Sequence, residues 1–184
     1  MLRIIIILLF FNFYVPANSS SKDKVISQMK LTNNLSFNFI QTIDDKKEEG
    51  KCIIEYPKKI FCEYSNPNKK NLVSNGKSLV ITTNNKGGYY RYPLNKTPLE
   101  FLLDKKYLIS KIANLEPRDI DNKYLNFKIF ENNNEINVFF DKKDFNLIGW
   151  QTEDIYQNLS ITFISSVKKN QEIDSKIFKL PENN

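Results

Sequence analysis

The stretch GKCIIEYPKKIFCEY, residues 50–64, combines a predicted pair of strands with a pair of cysteines. Two runs rich in β-branched and aromatic residues flank Pro57, which predicts a hairpin of two antiparallel strands. The only two cysteines of the chain, Cys52 and Cys62, lie one on each strand and face the same side if Pro57 is in the turn. Directly opposed residues would be about 4.5–5.5 Å apart at Cα, within disulfide range. A small register shift would leave two buried thiols instead.

The N-terminal segment predicts export. MLRIIIILLFFNFYVPANSSS has one basic residue, Arg3, before an apolar run that ends near Phe11. That run is too short to span a bilayer but fits the apolar core of a signal peptide. A buried N-terminal strand is the competing interpretation. An exported protein meets an oxidising environment, which favours the disulfide over free thiols.

Small residues locate the expected cleavage site. Val15 and Ala17 predict cleavage after Ala17, with cleavage after Ser19 as the alternative. No cysteine follows the apolar run directly, so we expect no lipid attachment. The expected organisation is a signal peptide over residues 1–17 and one exported domain over 18–184, which is large enough to bury a core.

Composition excludes several classes of site. The chain has 184 residues and no histidine, which excludes Ser-His-Asp and Cys-His catalysis and all histidine-based metal sites. Two cysteines cannot supply a three- or four-cysteine zinc site. The net charge of +6 comes from lysine, because only Arg3, Arg91 and Arg118 are arginine. Nucleic-acid recognition relies on arginine forks, so it is not expected.

Candidate catalytic motifs are also weak. The sequence NGKS at residues 75–78 lacks the first glycine of a phosphate-binding loop and is typical of a hairpin turn. The acidic pairs at 44–45 and 48–49 lie in a lysine-rich stretch that we interpret as a solvated loop. No nucleophile with a nearby base can be identified. We therefore expect neither an enzyme nor a bound cofactor or metal.

Hydrophobic periodicity predicts a mainly β protein of the α+β class. A short helix is predicted over about 21–32, after serine caps, and the spacing of apolar residues then changes to two. About six strands precede a helical segment at 97–112, which Thr97 is expected to cap, and four or five strands follow. A single antiparallel sheet of about ten strands must curl. The two helical segments are the available covers for its concave apolar face.

Five blocks carry a family resemblance. They are LSFNFIQT (35–42), YPKKIFCEY (56–64), NLVSNGKSLVI (71–81), YPLNKTPLEFLL (92–103) and IDSKIFKLP (173–181). In this order and spacing they resemble the LolA family of periplasmic carriers of outer-membrane lipoproteins. The resemblance implies an unclosed β-barrel of roughly eleven strands, lined by apolar side chains and lidded by helices. It also implies that lipoprotein acyl chains bind inside.

The expected site has a wall and a lid. By strand alternation we expect the cavity and its mouth to be lined by Phe37, Phe39, Ile54, Ile60, Phe139 and Trp150. Leu99, Leu102 and Leu103 match the family's lid helix and are expected to compete with cargo for the cavity. One departure concerns Tyr56, where members of the family often have arginine. This substitution puts in doubt a polar latch between barrel and lid.

The resemblance also implies a role and partners. The expected role is a soluble periplasmic carrier, acting as a monomer, that receives acylated lipoproteins from an inner-membrane ABC transporter. It would deliver them to an outer-membrane acceptor if one is present. The alternative is a periplasmic lipid-binding sensor or interaction domain of the same fold.

Overall fold

The computed structural model describes residues 19–84, 88–131, 134–153 and 158–182. The predicted signal peptide and the cleavage site after Ala17 lie outside these residues. The described chain contains one eleven-stranded antiparallel sheet with three α-helices and two short 3₁₀ helices. Within the described part of the chain, no helix is long and apolar enough to cross a membrane.

The helices lie in two places along the chain. The bounds are α1 Ser21–Leu31, α2 Leu99–Leu103 and α3 Lys105–Ala113, with 3₁₀ turns at Leu94–Lys96 and Ser175–Phe178. A capping box starts α1, since Ser20 Oγ accepts from the Asp23 amide and the Asp23 carboxylate accepts from the Ser20 amide. The expected helix at 97–112 is broken at Asp104, whose extended backbone ends α2 and whose carboxylate caps α3.

The strands follow one another around the sheet. Their bounds are β1 Asn34–Ile43, β2 Lys46–Glu55, β3 Lys59–Tyr64, β4 Asn71–Asn75, β5 Ser78–Thr83, β6 Gly88–Pro93, β7 Arg118–Ile120, β8 Tyr124–Glu131, β9 Asn134–Asp141, β10 Leu147–Glu153 and β11 Leu159–Lys169. The spatial order is β6-β5-β4-β3-β2-β1-β11-β10-β9-β8-β7. Because β6 and β7 remain edges, the sheet curls without closing, as the resemblance implied.

The core lies on the concave face. Side chains alternate in and out along each strand, and on β1 Leu35, Phe37 and Phe39 are buried while Asn38 and Ile40 are exposed. Leu102 and Leu103 of α2 and Leu108 and Ile112 of α3 complete this core. Val25 and Met29 of α1 belong to the same core, so both predicted helical segments cover the concave face.

A smaller apolar cluster lies on the outer face. The C-terminal 3₁₀ turn contacts β3 and β4. Its Phe178 is buried, as are Val73 and Val80, which are separate from the main core. This contact holds the end of the chain against the convex side of the sheet.

Three expectations need correction. Thr97 does not cap α2; its hydroxyl donates to the Leu94 carbonyl, because a 3₁₀ turn precedes the helix.

Glu48 and Glu49 belong to β2 rather than to a loop, since the hairpin turn needs only Asp44 and Asp45. Phe139 lies on the outer face, because its neighbours Val138 and Phe140 belong to the apolar core and Phe139 does not.

Candidate functional site: an apolar cavity beneath a latched lid

The β2–β3 hairpin forms one wall of the site. Cys52 and Cys62 are directly opposed, with their Cα atoms 4.1 Å apart, and form a disulfide, as the hairpin predicted. Both are buried on the concave side. Closer to the hairpin turn, Ile54 opposes Ile60, and both are almost fully buried beneath α2. The disulfide thus fixes the register of the pair that underlies the lid.

A glycine makes room for the aromatic wall beside the disulfide. Gly50 separates Phe39 on β1 from Tyr64 on β3, whose rings meet edge to face at 4.9 Å. A Cβ at Gly50 would collide with the Glu63 carbonyl oxygen and lie 2.8 Å from the Phe39 ring. Glycine is therefore required at position 50 for the Phe39 and Tyr64 rings to meet.

An open cavity of about 430 Å³ lies on the concave face between β1, β3–β6, β10 and β11. This volume is within the range of small-molecule sites. Its lining is mostly apolar and aromatic: Ile43, Tyr64, Leu72, Leu79, Ile81, Tyr90, Tyr92, Pro98, Leu99 and Trp150. Tyr90 is 54% exposed and marks the place where the cavity meets solvent.

A second space, beneath α2, is almost completely filled. Only about 10 Å³ is free among its lining residues, which are Ile54, Tyr56, Ile60, Leu99, Leu102, Leu103, Leu108, Val138, Leu147 and Trp150. Leu99 and Trp150 line both this space and the open cavity. The side chains of Leu102 and Leu103 therefore occupy volume that borders directly on the open cavity.

The hairpin turn binds the lid through Lys58. The Lys58 ammonium lies 2.9 Å from Glu100 Oε1 and 3.4 Å from Asp104 Oδ2, and the Lys58 amide donates to the Leu103 carbonyl at 2.9 Å. The hydrogen bond to Glu100 raises the pKa of Lys58, so this ammonium stays charged at neutral pH. Tyr56 stands where members of the family often have arginine, and this substitution had put a polar latch in doubt. In the structure, Lys58 forms the polar contact between the hairpin and the lid. Sequence reasoning missed it because the partners are 42 residues apart.

The two lid helices are held differently. The α3 helix is tied to β8 by Tyr107 and Lys111, which both contact the Glu131 carboxylate, at 2.8 and 2.6 Å. Lys105 also donates to the Thr32 carbonyl at the end of α1. Among the described residues, the ion pairs of α2 are those made by Lys58. The α2 helix is therefore bonded to the β2–β3 hairpin, whereas α3 is bonded to β8 and to the end of α1.

One end of the open cavity is polar. Gln41 Nε2 donates to the Ser160 and Thr162 hydroxyls at 3.2 and 3.3 Å, and Tyr64 donates to Gln41 Oε1 at 3.1 Å. Burial raises the pKa of Tyr64, which keeps the phenol neutral. Lys70, which forms an ion pair with Glu48, also lines this end. The sequence pattern did not reveal this cluster, because its members come from three strands.

The predicted site residues occupy distinct positions. Trp150 and Leu99 line the open cavity, whereas Ile54, Ile60, Leu102 and Leu103 line the filled space. Phe37 packs edge to face against Trp150 at 6.2 Å, and Phe39 lies behind Tyr64. Phe139 is not part of this group. The polar neighbours Asn137 and Asp141 at the same alternation as Phe139 were the signal for its outward position.

Within residues 19–84, 88–131, 134–153 and 158–182, no group of three or more acidic or cysteine side chains is placed to hold a metal ion. Both cysteines are in the disulfide. What the geometry offers instead is an apolar space with one polar end.

Two solved structures with TM-scores above 0.5 support the fold. An uncharacterized conserved protein from Thermus thermophilus is 8% identical, with a TM-score of 0.53, over 89% of this chain and 96% of that one. MucB is 8% identical, with a TM-score of 0.52, over 91% of this chain and 64% of that one. A LolA superfamily protein from Nitrosomonas europaea is 10% identical, with a TM-score of 0.49, over 87% and 96%.

The family is shown by sequence. No curated protein matches the chain. A family model, however, matches residues 30–181, which covers nearly all of the described sheet and both lid helices. Its description is "Outer membrane lipoprotein carrier protein LolA". The chain therefore belongs to the LolA family.

Proposed function

We propose that this protein is a periplasmic carrier that binds lipoprotein acyl chains in its apolar cavity and moves them from the inner to the outer membrane. The observation that carries the proposal is the open cavity of about 430 Å³, which borders on a space filled by the lid's own leucines. An acyl chain in this cavity would contact Leu99 and Trp150, which line both spaces. Movement of α2 would then join the two spaces into one longer apolar site.

The lid leucines would make binding reversible. Burial of a saturated chain contributes about 0.8 kcal/mol per methylene, so a ~16-carbon chain gains on the order of 10 kcal/mol. That gain alone would make release too slow for a carrier. Leu102 and Leu103 are buried in the closed state and must leave their positions when cargo enters. Their return into the vacated space would help to expel the cargo.

The Lys58 latch would set how easily the lid opens. Its ion pairs are partly exposed, with side-chain exposures of 30% for Lys58 and 23% for Glu100. Pairs of this kind contribute about 0.2–1 kcal/mol each. A contribution of this size holds α2 closed in the empty protein and is easily overcome by a bound acyl chain.

The proposal includes location and partners. The protein would be exported to the periplasm and would bind acylated lipoproteins as a monomer. An inner-membrane ABC transporter would supply them, and an outer-membrane acceptor, where present, would receive them. No chemical step is proposed, because the site offers apolar contact and hydrogen bonding without a nucleophile and base.

A release assay tests this function. Inner-membrane vesicles that carry the transporter and a labelled lipoprotein are mixed with ATP and the purified protein. We expect labelled lipoprotein to leave the vesicles in a complex with this protein, and a Trp150→Arg variant to fail. Binding of acyl probes without any release of lipoprotein would favour the alternative, a lipid-binding sensor domain.

A further inference from the structure

We infer that the polar end of the cavity recognises the uncharged carbonyl group of an ester- or amide-linked acyl chain, and discriminates against free fatty acids. This inference rests on the proposed function, since it concerns the cargo that the same cavity takes. A purely apolar site for an acyl chain would not need polar side chains. The inference assigns a role to the polar ones present here: Gln41, Tyr64, Ser160, Thr162 and Thr152.

The hydrogen-bond directions show which group is complementary. Gln41 is the donor to both the Ser160 and Thr162 hydroxyls, so each hydroxyl acts as an acceptor there and keeps its own proton for another acceptor. Ser160 lines the open cavity, and so does Thr152, which opposes it in the β10–β11 pair and adds a further hydroxyl on the same side. A carbonyl oxygen is the acceptor that these donors complement.

The amide of Gln41 is itself fixed. Tyr64 donates to its oxygen at 3.1 Å, which leaves its nitrogen directed at the two hydroxyls. Tyr64 is in turn packed against Phe39 and covered by the Lys70 ammonium, 3.8 Å from the ring centroid. Because this network is built before a ligand arrives, the hydroxyl donors are already arranged at one end of the cavity.

The charges at this end argue against an anionic head group. Lys70 is the cation among the described lining residues, and Glu48 already neutralises it. The other charged lining residue is Glu153, a carboxylate. An ionised fatty acid would therefore meet a like charge and would gain no unpaired cation there. An ester or amide carbonyl is uncharged, so it is not repelled by Glu153 and needs no cation.

The geometry also orients the bound chain. The polar cluster lies where β1, β3 and β11 approach their hairpin loops, whereas Leu99 and Trp150 lie toward the lid. A carbonyl held by Ser160 and Thr152 would direct the attached hydrocarbon past Trp150 into the space beneath α2. The linkage to the rest of the cargo would then remain at the polar end.

Three probes with the same saturated chain test the inference by competition binding. They are a fatty-acid methyl ester, the matching alkyl methyl ether without a carbonyl, and the free fatty acid, measured at about pH 8, where a carboxylic acid is ionised. We expect the ester to bind about five- to ten-fold more tightly than the ether, the effect of one or two hydrogen bonds. The fatty acid should bind most weakly.

Matched variants identify the groups responsible. The double variant Ser160→Ala with Thr152→Val should bind ester and ether equally. Thr42→Val, on the outer alternation of β1, should keep the preference of the unmodified protein. Equal binding of ester and ether by the unmodified protein, or tightest binding of the fatty acid, would overturn this inference and leave the carrier function standing. If none of the probes bound, the proposed function would fail with it.

Discussion

The ammonium of Lys58 lies 2.9 Å from the carboxylate of Glu100, and this contact joins the β2–β3 hairpin to the lid helix α2. The hairpin that the disulfide bridges is therefore also bonded to α2. Ser74 supports the same turn from β4, since its hydroxyl donates to the Lys58 carbonyl at 3.0 Å. The barrel wall and the lid are thus coupled through one lysine.

Removal of the latch charge should ease opening of the lid. In Lys58→Met the hydrocarbon stem remains but both ion pairs are lost. We expect faster amide hydrogen exchange in α2 and acyl-probe affinity a few-fold higher, with unfolding free energy lower by about 1 kcal/mol or less. Lys59→Met is the control, because Lys59 pairs with Glu55 and not with the lid. Equal effects of the two substitutions would show that Lys58 is not a latch.

Truncation of the lid leucines should strengthen cargo binding. In the triple variant Leu99→Ala, Leu102→Ala and Leu103→Ala, fewer apolar atoms compete for the space beside Trp150. We expect tighter binding of an acyl probe and slower transfer to acceptor membranes, measured by fluorescence. Circular dichroism should confirm that the sheet is intact. Weaker binding at unchanged fold would mean that the leucines are cavity wall and not competitors.

The disulfide should stabilise the protein measurably. It closes a short loop, with a sequence separation of 10 residues, and such a loop contributes roughly 2–3 kcal/mol in the chain-entropy model. We expect reductant to lower the urea midpoint of the natural protein. The double variant Cys52→Ala with Cys62→Ala contains no other cysteine and should not respond to reductant. An unchanged midpoint for the natural protein after verified reduction would contradict this expectation.

Two glycines should respond differently to alanine. Gly50→Ala places a methyl group against the Glu63 carbonyl and the Phe39 ring, so we expect a loss of about 2 kcal/mol or more from overpacking. At Gly76, with φ of +92°, there is space for a methyl group but the backbone is strained for alanine. A loss of about 1 kcal/mol is expected there. Chemical denaturation measures both, and an equal or reversed order would contradict the packing role of Gly50.

The fold was predictable where local chemistry sets the register. The turn at Pro57 predicted the β2–β3 pairing, and expected export favoured the register that opposes Cys52 and Cys62. The need to cover a curled sheet predicted that helices lie over its concave face. Both inferences used short separations along the chain or a general requirement for burial.

The parts that could not be predicted depend on distant strands. The contact between Lys58 and Glu100 requires knowledge of how the lid lies over the hairpin. The polar end of the cavity joins Gln41 to Ser160 and Thr162, which are more than a hundred residues away. The outward position of Phe139 was available from the polar residues around it, but its apolar character suggested burial.

The molecules that copurify with the protein from its own cells would show whether it carries acyl chains. The protein would be purified from the native periplasm without detergent and measured by native mass spectrometry, followed by lipid extraction. The account predicts a bound fraction whose added mass corresponds to an ester- or amide-acylated molecule, and this fraction should be lost in a Trp150→Arg variant that remains folded. Protein that carries no acylated molecule, even when release by its acceptor is prevented, would contradict the account.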